Sequence, residues 1–323
     1  DIVCTFTNNQ DARLTLIKEV TNDNGGAATA DQWTLEASGA TPLSGSTPVT
    51  SDVTPGEYVL SETNGPADYT GSAWSCVGGT LTVDTVDLAP GDVATCTITN
   101  DDDAPSLTLI KEVINDNGGT AVASDWTLTA AGYDPVSPDA GANDRSESGP
   151  AGYTQTSLTC DNSVGQVTSV TVGLGEDVTC TFVNDDDAPS LTLVKQVVND
   201  NGGTAVASDW TLTAAGYDPV SPDAGTYDLS ESGPAGYTLT SLTCDNAVGE
   251  VTEVTVGLGE DVTCTFVNDD DAPSLTLVKQ VINDNGGTAV PGDWTLTAAG
   301  YDAVSPDAGS YELSESGPAG YTQ

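Results

Sequence analysis

Four lysines occur in 323 residues, and each holds the same place in an internal repeat: Lys18, Lys111, Lys195 and Lys279, in LTLIKEV, LTLIKEV, LTLVKQV and LTLVKQV. Read as strands, these segments alternate with period two, so Leu191, Leu193, Lys195 and Val197 share one face, the apolar one. The same alternation puts a glutamate (Glu62, Glu147, Glu231) and a strand-ending asparagine (Asn100, Asn184, Asn268) on core-facing positions of each unit. Lysine to glutamate is 36 residues in the second and third units, and glutamate to asparagine is 37. In the first unit nine extra residues fall eight before Glu62 and one after it, leaving the trio intact, as spatial coupling requires.

Burial favours a neutral lysine and a protonated glutamic acid. A neutral amine is a nucleophile, and a protonated carboxyl can polarise an amide and carry a proton to departing ammonia. Held in contact, amine and carboxamide react as if at very high concentration. The expected product is a Lys–Asn isopeptide bond with Glu62, Glu147 and Glu231 as catalysts. Lys279 and Glu315 begin a fourth set, and Asn8, which ends CTFTN as Asn100 ends CTITN, is the amide of a preceding one. The same residues also suit a plain buried ion pair with a hydrogen-bonded amide beside it.

Composition narrows the alternatives. Six basic residues against forty-nine acidic ones give a formal charge of −43, which argues against nucleic acid or an anionic membrane as partner. Histidine is absent, which leaves a Ser-His-Asp site or a histidine-ligated zinc nothing to stand on. No apolar run approaches membrane-spanning length. Neither a signal peptide nor an initiator methionine is present, so a window from the interior of a processed chain is expected.

The pairs Cys76/Cys96, Cys160/Cys180 and Cys244/Cys264 each have a separation of 20, and without CxxC spacing they indicate structural disulfides rather than zinc. Cys4 matches the second cysteine of each pair. An oxidising, extracellular compartment follows.

These groups are positioned by short alternating runs separated by Gly, Pro, Asn and Asp clusters, the pattern of a β-sandwich. The expected organisation is a terminal strand (1–9), repeats at 10–100, 104–184 and 188–268, and a truncated repeat at 272–323, joined by NDDDAPS linkers. LTLVKQVV–NDNGG–DWTLTA and VTEVTV–GLGE–DVTCTFVN both read as hairpins, with GLGE a turn rather than a phosphate loop. In the second repeat Asn143 and Arg145 replace an inward Tyr and Leu, which predicts a disturbed strand and an uncertain crosslink there.

L-x-L-x-K, then GEYVLSETNGPADY (Gly56–Tyr69), then a last strand ending in Asn resemble the B-type (CnaB-like, SpaA-like) repeat of bacterial collagen-adhesin and pilin surface proteins. The resemblance implies an all-β chain, a tandem array of small prealbumin-like (Ig-like) sandwiches at the cell surface, commonly carrying a Lys–Glu–Asn crosslink. The expected function is a structural stalk or fibre resisting tension and proteolysis, reacting only with itself. Its partners are neighbouring repeats, identical chains in a filament, or a surface ligand.

No cofactor is required. Asp101, Asp102, Asp103 and Asp116 offer clustered oxygens, which makes calcium the candidate ion of an alternative, calcium-dependent binding module. A solvated, self-repelling linker and adaptation to high salt are the other readings of these acids.

Overall fold

The computed structural model describes residues 2–5, 8 and 10–323. Repeat 1 contains ten strands: β1 (Ala12–Thr21), β2 (Thr34–Ser38), β3 (Leu43–Gly45), β4 (Val49–Val53), β5 (Gly56–Thr63), β6 (Tyr69–Gly71), β7 (Ser75–Val77), β8 (Thr80–Thr82), β9 (Thr85–Leu88) and β10 (Val93–Asp102). One sheet runs β4-β1-β10-β6 with β7 also on β10, and the other runs β3-β2-β5-β9-β8. Leu14, Leu16, Leu35, Tyr58, Val86, Leu88 and Cys96 fill the space between them. Alternation explains this burial, since each strand turns one face of branched and aromatic residues inward and a polar face outward.

Repeat 2 has β11 (Ser106–Ile114), β12 (Thr127–Ala131), β13 (Gly141–Ser148), β14 (Tyr153–Cys160), β15 (Ser169–Val172) and β16 (Asp177–Asp186). Repeat 3 has β17 (Ser190–Val198), β18 (Thr211–Ala214), β19 (Gly225–Ser232), β20 (Tyr237–Cys244), β21 (Glu253–Val256) and β22 (Asp261–Asp270), and the fourth segment has β23 (Thr295–Ala299) and β24 (Glu312–Ser316). Sheet orders are β11-β16-β14 and β12-β13-β15, then β17-β22-β20 and β18-β19-β21. The chain divides into two compact units: residues 1–113, 122–150 and 155–184 form one, and residues 114–121, 151–154 and 185–323 the other.

In repeats 1 and 3 the first and last strands are parallel neighbours, β1 pairing β10 with Lys18 opposite Ile98 and β17 pairing β22 with Lys195 opposite Phe266, and in repeat 2 β11 and β16 are likewise adjacent. Neither expected hairpin forms. β17 and β18 lie in different sheets, as do β21 and β22, so NDNGG and GLGE carry the chain across the sandwich. Strands buried on one face in two facing sheets give the same sequence alternation as paired strands, so the pattern could not separate the two cases.

Cys76–Cys96, Cys160–Cys180 and Cys244–Cys264 are joined, the first and last lying directly opposite each other on β7/β10 and β20/β22. Closing a loop of this length stabilises a small domain by roughly 3 kcal/mol. Cys4 is exposed and unpaired. In the segment read as a terminal strand, residues 2–5 and 8 have no strand assignment and Asn8 is exposed, while Asp1, Phe6, Thr7 and Asn9 lie outside the described residues.

The strand expected to be disturbed is intact. β13 pairs β12 through Leu128–Glu147 and β15 through Asn143–Val170. Asn143 and Arg145 are buried at 2% and 6% exposure.

Candidate functional site

Each site draws lysine and asparagine from the paired terminal strands of one sheet and glutamate from the middle strand of the facing sheet. Lys18 and Asn100 are 3% and 2% exposed. In repeat 1 the Lys18 Nζ donates to Glu62 Oε2 at 2.8 Å, and Asn100 Nδ2 donates to Glu62 Oε1 at 2.8 Å. One carboxylate therefore bridges the amine and the amide nitrogen, while Asn100 Oδ1 is buried with no hydrogen-bond partner.

In repeat 2, Lys111 Nζ donates to Glu147 Oε2 at 2.9 Å and closely to Asn184 Oδ1. Repeat 3 repeats this, with Lys195 Nζ on Glu231 Oε2 at 2.8 Å and on Asn268 Oδ1. In the fourth segment Lys279 meets both oxygens of Glu315, at 2.8 and 2.6 Å. All three groups thus meet in three repeats, and amine and acid meet in the fourth.

A tryptophan faces the amine in every site. Lysine Nζ lies 4.8 Å from the Trp33 ring, 4.7 Å from Trp126, 4.8 Å from Trp210 and 4.9 Å from Trp294. The indole closes the amine off from water, and its face attracts any ammonium by roughly 0.5–2 kcal/mol. Four of the chain's five tryptophans stand here, a recurrence that could have flagged the role. The glycine after each glutamate strand (Gly65, Gly149, Gly233, Gly317) explains itself similarly, because a Cβ there would overlap the indole ring. Trp33 packs edge-on against Tyr69 with centroids 5.5 Å apart, and Tyr69 Oη donates to Asn22 Oδ1 at 2.6 Å, fastening the NDNGG turn over the site.

Burial pushes the Lys18 amine below its usual range, and the hydrogen bond and charge of Glu62 only partly oppose this. The neutral, nucleophilic amine is correspondingly more accessible.

The acidic segment after each asparagine differs from a solvated linker. β10 continues past Asn100 to Asp102, which is 3% exposed and accepts from the backbone N–H groups of Asp23, Asn24 and Gly26 at 2.7–3.1 Å. Asp186 and Asp270 do the same for the turns at Asp116–Gly119 and Asp200–Gly203.

The expected acidic grouping is also corrected. Asp101 and Asp102 cluster with Asp23, whereas Asp116 clusters with Asp185 and Asp186. Asp103 stands apart, accepting from Thr70 Oγ1 at 2.6 Å. The turn reaches the acidic end of its own repeat's last strand because first and last strands are parallel neighbours. The charge of Asp101, then burial, then the charge of Asp102 raise Asp23 above the usual carboxylate range, and Asp185, burial and Asp186 do the same to Asp116. Burial alone would raise Asp270, but the N–H groups of Gly203, Asn201 and Asp200 outweigh it and hold the carboxyl low.

These features define a class of two-sheet β-sandwich repeat with a lysine, a glutamate and an asparagine buried between its terminal strands. The chain belongs to the family of prealbumin-like fold domains, which matches residues 9–98, 102–182, 186–266 and 270–323. Serine-aspartate repeat-containing protein F of Staphylococcus epidermidis is 23% identical over 235 residues, 62% of this chain and 14% of that protein. The chain thus spans a small part of the curated relatives it matches. Among solved structures, the pilus adhesin SpaC of Lactobacillus rhamnosus GG in its open conformation aligns with 83% of this chain and 44% of its own, at 12% identity and a TM-score of 0.23. The major pilin of Streptococcus pyogenes aligns with 82% of this chain and 100% of its own, at 11% identity and a TM-score of 0.21. Among the described residues no helix is long and apolar enough to cross a membrane.

Proposed function

We propose that the chain is part of an extracellular stalk or fibre whose repeats lock themselves with intradomain isopeptide bonds. The supporting observation is the Glu62 carboxylate, which touches the amine through one oxygen and the amide nitrogen through the other. In the reaction the lysine nitrogen attacks the asparagine Cγ, the Cγ–Nδ2 bond breaks, and ammonia leaves. The glutamic acid polarises the amide, takes the amine's proton and returns one to the departing nitrogen. The roles fall to Lys18, Glu62 and Asn100; to Lys111, Glu147 and Asn184; and to Lys195, Glu231 and Asn268. Lys279 with Glu315, and Asn8, are parts of further sets. The chain acts on no substrate but itself.

A bond between parallel terminal strands carries tension from one to the other and bypasses the residues between Lys195 and Asn268. Each repeat is too small to derive much stability from its core, so a disulfide and an isopeptide compensate. The names of the similar proteins, pilus adhesin and major pilin, accord with a surface fibre whose partners are neighbouring repeats, identical chains or a surface ligand.

Peptide mapping of the unmodified chain and of Glu231→Ala tests the chemistry. The unmodified chain is expected to yield one branched peptide joining β17 to β22. The variant should lose that peptide and keep the two belonging to Glu62 and Glu147. Linear peptides throughout the unmodified chain would overturn the proposal.

A second reading, calcium at the ends of the last strands, has a specific basis. Carboxylate oxygens of Asp23/Asp101/Asp102, Asp116/Asp185/Asp186 and Asp200/Asp269/Asp270 lie within 4.8 Å of one another in each group. Asp185 Oδ1 and Asp269 Oδ1 are buried without a hydrogen-bond partner. A rise in melting temperature on adding Ca²⁺, reversed by a chelator, is the outcome this reading requires; an unchanged melt removes it.

A further inference from the structure

At three places the same small set of groups joins one repeat to the next. Asn24 donates its Nδ2 to the Pro138 carbonyl at 3.0 Å, and its own carbonyl accepts from the Ala140 N–H at 2.7 Å. Asn117 makes the same pair with Pro222 and Ala224, at 3.0 and 2.7 Å. Asn201 makes it with Pro306 and Ala308, at 3.3 and 2.7 Å. The donors and acceptors belong to two recurring pieces, the N-D-N-G-G turn after the lysine strand and the S-P-D-A-G loop before the glutamate strand of the following repeat.

The glycine after each of these asparagines fits the contact. Gly25, Gly118 and Gly202 have φ of +89°, +87° and +87°, and a Cβ on any of them would come within 2.9 Å of the neighbouring loop's backbone. The turn at Asn285 is an internal comparison. Among the described residues no loop is seated on it, a Cβ on Gly286 would meet nothing within 4 Å, and Asn285 Nδ2 donates instead to Asp284 Oδ1 at 2.9 Å. The turn keeps its shape when empty (φ of Gly286 is +84°), so it is built before the loop arrives.

Repeat 1 uses the corresponding segment differently. Between β2 and β5 it carries β3 and β4, and β4 pairs with β1, setting Ser51 opposite Leu14 and closing the edge of its own sheet. Among the described residues β11 and β17 have no such partner strand, and the segment before β13 or β19 reaches the preceding repeat instead.

We infer that the N-D-N-G-G turn is a preformed socket for the P-D-A-G loop of a following repeat, so that successive repeats are joined by a directional clasp as well as by the chain. The asparagine is the specific element, because its side-chain amide supplies the donor that the Pro carbonyl needs, whereas the alanine N–H is taken by its backbone carbonyl, which any residue would offer. A repeat with the β3–β4 arrangement of repeat 1 cannot enter the socket, so the clasp selects which kind of repeat can stand after another. A second anchor lies beside it: Gly175 N–H donates to the Asp103 carbonyl at 2.8 Å and Gly259 N–H to the Asp187 carbonyl at 2.7 Å, holding the linker onto the next repeat's G-L-G-E turn.

Amide hydrogen exchange on the whole chain, read residue by residue, tests this. The Ala140, Ala224 and Ala308 amides should exchange on the order of 100-fold or more slower than the same sequence unstructured. Exchange within about threefold of the unstructured rate at all three would overturn the inference. In Asn117→Asp, which replaces the donor with an acceptor, Ala224 should exchange at least about tenfold faster while Ala140 and Ala308 are unchanged. Unaltered protection at Ala224 in that variant would remove the asparagine from its proposed role. Asn285→Asp should change none of the three rates, and an effect there would likewise contradict the assignment.

Discussion

Arg145 is the residue that most sets one repeat apart from its neighbours. It stands where repeats 1 and 3 carry Leu60 and Leu229, and its Nη1 lies against both sulfurs of the Cys160–Cys180 disulfide, 2.9 Å from Cys180 Sγ. Nη2 donates to the Val167 carbonyl at 3.0 Å, while Nε is buried with no hydrogen-bond partner. Burial lowers its pKa and the nearby Asp144 only partly restores it. Among the described residues no carboxylate forms an ion pair with it, so the charge is held at a cost. Arg145→Leu is therefore expected to stabilise the chain by about 1–4 kcal/mol, measured by denaturant unfolding with the disulfides intact. A loss of stability would mean that the guanidinium contributes favourable contacts to the core. At this scale the sequence was informative where polarity contradicted position: lysine, glutamate, asparagine and arginine all stood out on inward faces. Tryptophan did not, because an inward Trp is ordinary, and only the facing amine gives it a role.

Individual strands were legible from alternation, but their assignment to sheets was not. NDNGG has the composition of a hairpin turn, yet it spans from one sheet to the other, held by a buried aspartate from the last strand. Asp102, Asp186 and Asp270 look in the sequence like part of an exposed acidic run. Their burial follows from the strand extending past the asparagine, and no local signal marks that extension.

The acidic ends also set a pH dependence. Asp23 and Asp116 have folded-state pKa values above their ordinary range, so the folded chain takes up their protons first and gains stability as pH falls from neutral toward that range. Asp270 has the opposite sign: its contribution is present above the ordinary value and is lost as pH falls through its lowered one. Asp116→Asn should accordingly melt higher than the unmodified chain at neutral pH, with the difference shrinking on acidification. An equal or lower melting temperature at neutral pH would show that its charge is not the unfavourable group.

Over the whole chain, the repeat period and the thrice-recurring trio could be read before any coordinates, because repetition separates selected positions from incidental ones. The contacts between repeats could not, since they use backbone groups and one asparagine that look like ordinary turn residues. Together the disulfides, the buried trios and the clasps describe a chain secured within each repeat and between repeats. The covalent step is the central claim, and the intact mass of the purified, fully reduced and unfolded chain tests it most directly. The expected mass is lower than that of the sequence by three ammonia molecules, one for each of the complete sets at Lys18, Lys111 and Lys195. A mass equal to that of the sequence would contradict it and leave the three sites as buried ion pairs.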